Sequence, residues 1–250
     1  MTCTRDGLAR LQALAPGRTQ LAYHGLDLTR FPAPPPPREL RDGTDPDRPL
    51  RLLCVGRMVA KKGHDDLIDA LAALPAHLHW RLDLIGGGDL RDALEARIAA
   101  GGLAERVRFR GALAQPAVIE AMRAADLFVL PTKPAPGGDR DGLPNVLMEA
   151  ASQALPILAT AFAGTPEVIT DGVHGVLVPP GEPAARADAL TRLAGDPGYR
   201  QRLGAAALAR LVQDFSAEAA IALIAGRLRA SAGLPQDAAA HEPELSACAS

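Results

Sequence analysis

The stretch Arg51-Leu52-Leu53-Cys54-Val55, followed by Gly56-Arg57-Met58-Val59-Ala60-Lys61-Lys62-Gly63 and then by amphipathic residues 64–74, decides the fold. It reads as a short apolar strand, a flexible loop with three cations, and a helix. The same unit recurs downstream. Strand candidates fall at residues 51–55, 80–85, 106–109, 127–130, 156–159 and 175–178, with helices near 64–74, 89–100, 116–124, 144–153 and 182–194. Apolar runs alternating with amphipathic segments at this spacing are the signature of a parallel sheet covered on both faces. The expectation is an α/β, doubly wound, Rossmann-like domain, with two further helical stretches at 197–214 and 216–230.

Working outward, residues 31–49 contain Pro32, four consecutive prolines from Pro34 to Pro37, then Asp42, Gly43, Asp45, Pro46 and Pro49. Such a segment cannot sustain a helix or a central strand and reads as an exposed, stiff linker. Before it lie a helical piece at 8–14 and a possible strand at 19–23, too small together to form a domain. The expected division is 1–49 as an interdomain remnant with its Pro-rich linker, 50–231 as the Rossmann-like domain with C-terminal helices, and 232–250 as a disordered tail without periodicity.

Composition narrows the function classes. Of 250 residues, 48% are apolar, enough for a buried core, and 27 Lys+Arg face 29 Asp+Glu, so no basic field points to nucleic acid. The longest apolar stretches, 127–131 and 219–225, fall well short of the roughly 18 residues needed to span a bilayer. Residues 1–10 have charges but no following apolar block, so no secretory signal is expected. Cys3, Cys54 and Cys248 are far apart without a C-x-x-C pair, which fits reduced thiols in a cytoplasmic protein.

In an open parallel sheet, ligands bind outside the carboxyl ends of the strands, and the chemically unusual residues cluster there. Arg57 and Lys62 suit a pyrophosphate: a guanidinium offers two parallel donors, an ammonium a point charge, and Gly56 lets the backbone approach. The same residues would also make an ordinary solvated loop. Gly86-Gly87-Gly88, after the second strand, serves close packing and ligand approach; the dinucleotide fingerprint would need a third glycine where Arg91 stands. In residues 141–149, Pro144 suits a first helical turn, leaving the amides of Leu143, Asn145 and Val146 at the helix's positive end, where an anion can dock. Asp141 lies in the loop ahead of it, placed for sugar hydroxyls. Glu149 lies deeper in an apolar stretch, where a vicinal diol would satisfy both oxygens. Spacing alone leaves open the alternative of a capping Asp and a Glu paired with a nearby Arg. None of the histidines has metal-ligand spacing, so no metal site is expected. The chain has no G-x-S-x-G elbow and no P-loop ending in Lys-Ser or Lys-Thr.

Several stretches together carry a resemblance: Tyr23-His24-Gly25-Leu26-Asp27-Leu28-Thr29-Arg30-Phe31, Val55-Gly56-Arg57 with Lys61-Lys62-Gly63, Val107-Arg108-Phe109-Arg110-Gly111, Ala125-Asp126-Leu127-Phe128-Val129-Leu130-Pro131, the run Gly138-Asp139-Arg140-Asp141-Gly142-Leu143-Pro144-Asn145-Val146-Leu147-Met148-Glu149-Ala150, Gly164-Thr165-Pro166-Glu167-Val168, and Gly175-Val176-Leu177-Val178. In order and spacing, over about residues 21–227, the chain resembles the donor-binding, C-terminal half of retaining GT-B glycosyltransferases of family 4, especially those that build bacterial exopolysaccharides and lipopolysaccharides. That resemblance implies a UDP- or GDP-sugar as substrate and no cofactor or metal. It assigns the diphosphate to Arg57 and Lys62, the ribose to Glu149, the transferred sugar to Asp141, the nucleobase to the neighbourhood of Arg108 and Phe109, and further donor contacts to Gly56, Gly88, Gly142, Leu143 and Pro144. The family's first acid is commonly Glu, so Asp141 is one methylene shorter, which bears on the sugar's identity. A complete GT-B hexosyltransferase also has an N-terminal acceptor-binding domain, absent from this sequence; it would be the partner, and a lipid-linked acceptor would bring the protein to a membrane peripherally. Two other readings stay open: a non-catalytic nucleotide-sugar-binding module or inactive remnant, and a nicotinamide oxidoreductase, which would need the missing third glycine and an acid ending the second strand. The face that meets an acceptor domain is expected to be uncovered, with apolar helices between 205 and 228 short of a packing partner.

Overall fold

Every residue of Leu127–Leu130 and Ile157–Thr160 is buried, whereas Leu50–Val55 and Trp80–Ile85 each have one exposed position near the start. Strands buried on both faces belong in the middle of a helix-covered parallel sheet. The computed structural model, which describes residues 1–139 and 141–233, places them there. Six strands, β1 (Leu50–Val55), β2 (Trp80–Ile85), β3 (Val107–Gly111), β4 (Leu127–Leu130), β5 (Ile157–Thr160) and β6 (Val176–Val178), form one parallel sheet in the order β3-β2-β1-β4-β5-β6. The order reverses between β1 and β4, the switch point at which a doubly wound sheet opens a crevice.

The helices are α1 (Arg5–Leu14), α2 (His64–Ala72), α3 (Arg91–Ala100), α4 (Gln115–Ala124), α5 (Asn145–Ser152), α6 (Thr165–Val168), α7 (Pro183–Gly195), α8 (Pro197–Asp214) and α9 (Ala217–Ser231). One core layer joins Leu52, Cys54, Leu82 and Leu84 to Leu67, Leu71, Leu94 and Leu190 of α2, α3 and α7; the other joins Leu53, Phe128 and Ile157 to Met122, Leu147 and Leu211 of α4, α5 and α8. Each such side chain contributes about 1.5–3 kcal/mol by leaving water. Local signals set the helix ends: Asp196 Oδ1 accepts from Tyr199 N at 2.7 Å ahead of Pro197, and Ser216 Oγ accepts from Ala219 N at 3.3 Å.

Several expectations shift. Residues 19–23 form no strand; Leu21 makes a single bridge to Thr2, because no second strand runs beside it to extend the ladder. The helix expected from 144 begins at Asn145, with Pro144 as its N-cap. The one-turn helix α6 was not foreseen. The proline-rich segment is mostly exposed but tied down: the Arg38 guanidinium donates to the carbonyls of Ala125, Met122, Gln153 and Ala154, at the carboxyl ends of α4 and α5. Burial lowers the Arg38 pKa to about 10. Neither α1 nor α9 has a buried residue, and Leu14, Ile221 and Leu228 stand out in solvent. From residue 234 onward, the expected tail lies outside the described residues. No described helix is long and apolar enough to cross a membrane.

Candidate functional site

The carboxyl ends of β1, β2 and β4 are welded together by backbone contacts that glycine permits. Beyond the sheet, Gly56 N donates to Ile85 O and Met58 N to Gly87 O, at 2.9 and 2.8 Å. A Cβ on Gly88, whose φ is +152°, would lie 2.6 Å from Met58 O, so the glycine run lets the β2 exit lie against the β1 exit. The β1 loop ends in a short 3₁₀ turn, Ala60–Lys62, and left-handed Gly63, where a Cβ would come within 1.9 Å of Pro131 O. Lys133 N donates to Lys61 O at 2.9 Å, and Lys133 Nζ bridges Asp65 and Asp66 of α2, at 2.7 Å to each. Burial acts to lower the Lys133 pKa, but the two carboxylates outweigh it and leave it raised. The cationic loop is thus a braced element.

Lys62 lies with its stem over Gly56, Cδ and Cε being 3.5 and 3.6 Å from where a Cβ would sit. Its ammonium donates to Asp141 Oδ2 at 2.5 Å. Lys61 Nζ meets the other oxygen of Asp141 at 3.4 Å and Asp139 Oδ1 at 3.0 Å. The side chains of Lys62 and Asp141 are each only 15% exposed, so this charge cluster is largely withdrawn from water. Arg57 is exposed, and its guanidinium makes no hydrogen bond or ion pair among the described residues, while its carbonyl accepts from Val59 N at 2.9 Å. Beyond Asp141 come exposed Gly142 and buried Leu143 and Pro144, then α5, whose N-terminus has no side-chain cap. Its first-turn amides, with the helix's partial positive charge, form an anion-accepting end.

Glu149, half-buried one turn into α5, sits beside Arg30 and Gln115. Burial pushes its carboxyl above the usual range, opposed by the Arg30 charge and by a hydrogen bond from Gln115. Arg30 Nη2 in turn donates to Gln115 Oε1 at 2.7 Å. Arg30 lay within a quoted motif without an assigned role; Gln115 opens α4 and carries no sequence signal of its own. His24 Nε2 meets Asn145 Oδ1 at 2.5 Å, and Glu167 of α6 accepts from Arg5 N at 2.8 Å and Tyr23 Oη at 2.7 Å. His64, opening α2 directly after Gly63, is buried with both ring nitrogens unpartnered; burial first, then Lys62, holds its pKa down at about 4.

The structure therefore brings Lys62, Gly56 and Asp141 into contact and sets Glu149 in a separate polar group with Arg30 and Gln115. It does not bring Arg108 and Phe109 together: Arg108 forks onto Asp83 on one face of the sheet, while Phe109 packs on the other beneath the Arg91 guanidinium, 4.9 Å from its ring centre. No group of three or more His, Cys, Asp and Glu that could hold a metal ion occurs among the described residues. Chemically, the strand ends offer an exposed guanidinium, two withdrawn ammonium groups paired with Asp141 and an uncapped helix end, features suited to an anion, with Glu149 in its own polar group.

Residues 49–196 match the family described as glycosyl transferases group 1. The chain is 37% identical over 156 residues to the amylovoran biosynthesis glycosyltransferase AmsK of Erwinia amylovora, covering 62% of this chain and 38% of that protein. It is 33% identical over 176 residues to the lipopolysaccharide core biosynthesis glycosyltransferase LpsE of Rhizobium meliloti, covering 70% and 48%. Among solved structures, HepE of Anabaena in complex with UDP and glucose superposes with a TM-score of 0.76 at 25% identity, over 92% of this chain and 62% of HepE. The chain spans about half the length, or less, of the curated relatives it matches.

Proposed function

The chain belongs to the group 1 glycosyl transferases, a Rossmann-like domain matching GT-B structures, and from that premise we propose that its strand-end crevice binds a nucleoside diphosphate sugar, UDP- or GDP-linked, for sugar transfer with retention of configuration, as in family 4 and without a metal. The observation that carries the reading is the contact of Lys62 with Asp141, on two segments that also carry the free Arg57 guanidinium five residues before Lys62 and the uncapped start of α5 four residues after Asp141. Arg57 and Lys62 hold the diphosphate and, with the helix end, stabilise its charge as it leaves; such fixed donors aimed at developing charge are a large contribution to catalysis. Glu149 takes the ribose diol in place of its present neighbours Arg30 and Gln115. Asp141 turns from Lys62 to hydroxyls of the transferred sugar. Gly56, Gly88, Gly142, Leu143 and Pro144 shape the backbone around the donor, and Phe109 lies toward the nucleobase, whereas Arg108, turned onto Asp83 on the opposite face, takes no part.

Transfer needs an acceptor-binding domain, and the polysaccharide and lipopolysaccharide functions of AmsK and LpsE favour a cytoplasmic enzyme that meets a lipid-linked acceptor at the membrane surface. Calorimetry with UDP and GDP tests the donor site. One nucleotide binds, and Lys62→Ala or Glu149→Ala weakens it about ten- to a hundredfold, the ~1.5–3 kcal/mol of a charged hydrogen bond. Absence of binding to the folded protein refutes the site. Binding without turnover on any donor, also after mixing with acceptor domains, selects the second reading, a nucleotide-sugar-binding module.

A further inference from the structure

The face of β1, β2 and β3 that turns toward α4 is built unlike the rest of the sheet. Side chains in register share a face, and Arg51 pairs in register with Arg81, Leu53 with Asp83, and Asp83 with Arg108. The first row of this face is therefore two arginines on adjacent interior strands, and the next is Leu53, Asp83 and Arg108. Arg106 and Arg110 complete a groove of about 490 Å³ walled by Ala121, Ala124 and Ala125. The five arginines share the lining with only two acids, Asp83 and Glu105, and Arg106 turns its guanidinium over the Trp80 ring, 5.5 Å from its centre. Asp83 is fully engaged, by Arg108 Nε and Nη2 at 3.1 Å each and by Arg110 Nη1 at 2.8 Å. Arg51 and Arg81 are exposed, and their guanidinium groups have no hydrogen bond or ion pair among the described residues.

Like charges directly opposite on neighbouring strands destabilise a sheet, and among the described residues no hydrogen bond or ion pair of the two guanidinium groups offsets this. Protection of a sheet edge accounts for charges on β3, the edge strand, but not for Arg51 on β1 and Arg81 on β2, which are paired on both sides. We infer that this groove is a docking surface for an acidic protein segment in extended conformation. From the Arg51 row to the Leu53 row the groove runs about 7 Å at ~3.3 Å per residue, the ~7 Å spacing of alternate carboxylates on one side of an extended chain. The Arg108–Asp83 fork shows that guanidinium groups in this groove accept a carboxylate on two donors. A membrane surface fits less well: the groove is concave, and among the described residues none of the large exposed apolar side chains, such as Leu11, Leu14, Ile221 and Leu228, lines it. Nor does any aromatic ring line it on which a nucleic-acid base could stack.

The test uses the whole chain and fluorescence anisotropy with a labelled eight-residue peptide of alternating Glu and Ala. The peptide binds, more weakly as salt rises, and the double variant Arg51→Gln, Arg81→Gln loses at least tenfold in affinity; its thermal midpoint and its response to UDP stay those of the parent, since neither residue belongs to the strand-end crevice. An affinity equal in the two proteins, or no peptide binding, overturns the inference. Vesicles containing 30% phosphatidylserine and a dT oligonucleotide form the other arms: arginine-dependent capture of either, with the peptide unbound, overturns it in favour of a membrane or nucleic acid.

Discussion

His64 turns acid into a specific lever on stability. Its ring is 3% exposed, both nitrogens lack partners, and burial with the Lys62 charge lowers its pKa from 6.5 to about 4. A base whose pKa is depressed by folding stabilises the native state above its unfolded pKa, and that contribution is lost as pH falls through the folded value. From a displacement of about 2.5 pH units, the loss is about 2 kcal/mol between pH 7 and pH 5 and about 3 kcal/mol by pH 4. For a domain of this size, 2 kcal/mol corresponds to about 4–8 °C in Tm. Carboxylates titrate in the same range, so the informative quantity is the difference between the parent and His64→Leu, with His64→Asn as a second replacement. Urea unfolding at pH 7, 6 and 5 then gives a parent that falls about 2 kcal/mol further than either variant. Unfolding free energies that run parallel from pH 7 to pH 5 refute the reasoning, since they mean that the imidazole is already solvated or paired in the native state.

The braced loop and the two acids yield further expectations. Gly63→Ala forces a side chain into left-handed backbone and against Pro131 O, so it lowers stability by roughly 2 kcal/mol or more and UDP affinity with it; calorimetry showing parental Tm and affinity contradicts the packing described. Glu149 has its pKa raised, chiefly by burial, so its ionisation opposes folding: the stabilising effect of Glu149→Gln is present at pH 7, diminishes as pH falls and vanishes below pH 4.5, as chemical denaturation at pH 7 and pH 4 reads out. Asp141→Asn releases Lys62 from its carboxylate and tightens UDP binding by about tenfold while reducing the preference for UDP-sugar over UDP; titrations in which UDP binds no better show that the pair does not compete with the diphosphate.

How much of this was legible in the sequence follows from what each interaction depends on. The strands were readable because β4 and β5 are apolar at every position, as burial on both faces requires, and their bounds fell within a residue or so of expectation. The single bridge at Leu21 was not separable from a strand, because a strand is defined by its neighbour rather than by its own residues. In the site, Arg57, Lys62 and Asp141 could be singled out as charged residues among strand-end glycines, and the helix start beside Pro144 from proline's fixed geometry. Their resting partners could not. That Lys61 and Lys62 share Asp141, that Lys133 ties the loop to α2, and that Arg30 and Gln115 stand beside Glu149 depend on segments meeting across separations of 34 to 119 positions in the chain, which local pattern does not encode.

Those resting partners bear on how the crevice works. Each acid assigned to the donor is engaged by the protein's own cation or amide: Asp141 by two lysines, Glu149 by Arg30 and Gln115. Charges withdrawn from water are costly unless paired, and both acids meet that requirement within the protein; on the proposed reading, a donor therefore binds by exchange of partners. On that reading a diphosphate takes Lys62 from Asp141 and thereby frees that acid for sugar hydroxyls. The same reading couples phosphate and sugar recognition through one ion pair, and the Gly63–Pro131 contact and the Lys133 bridge brace the loop that carries the lysine.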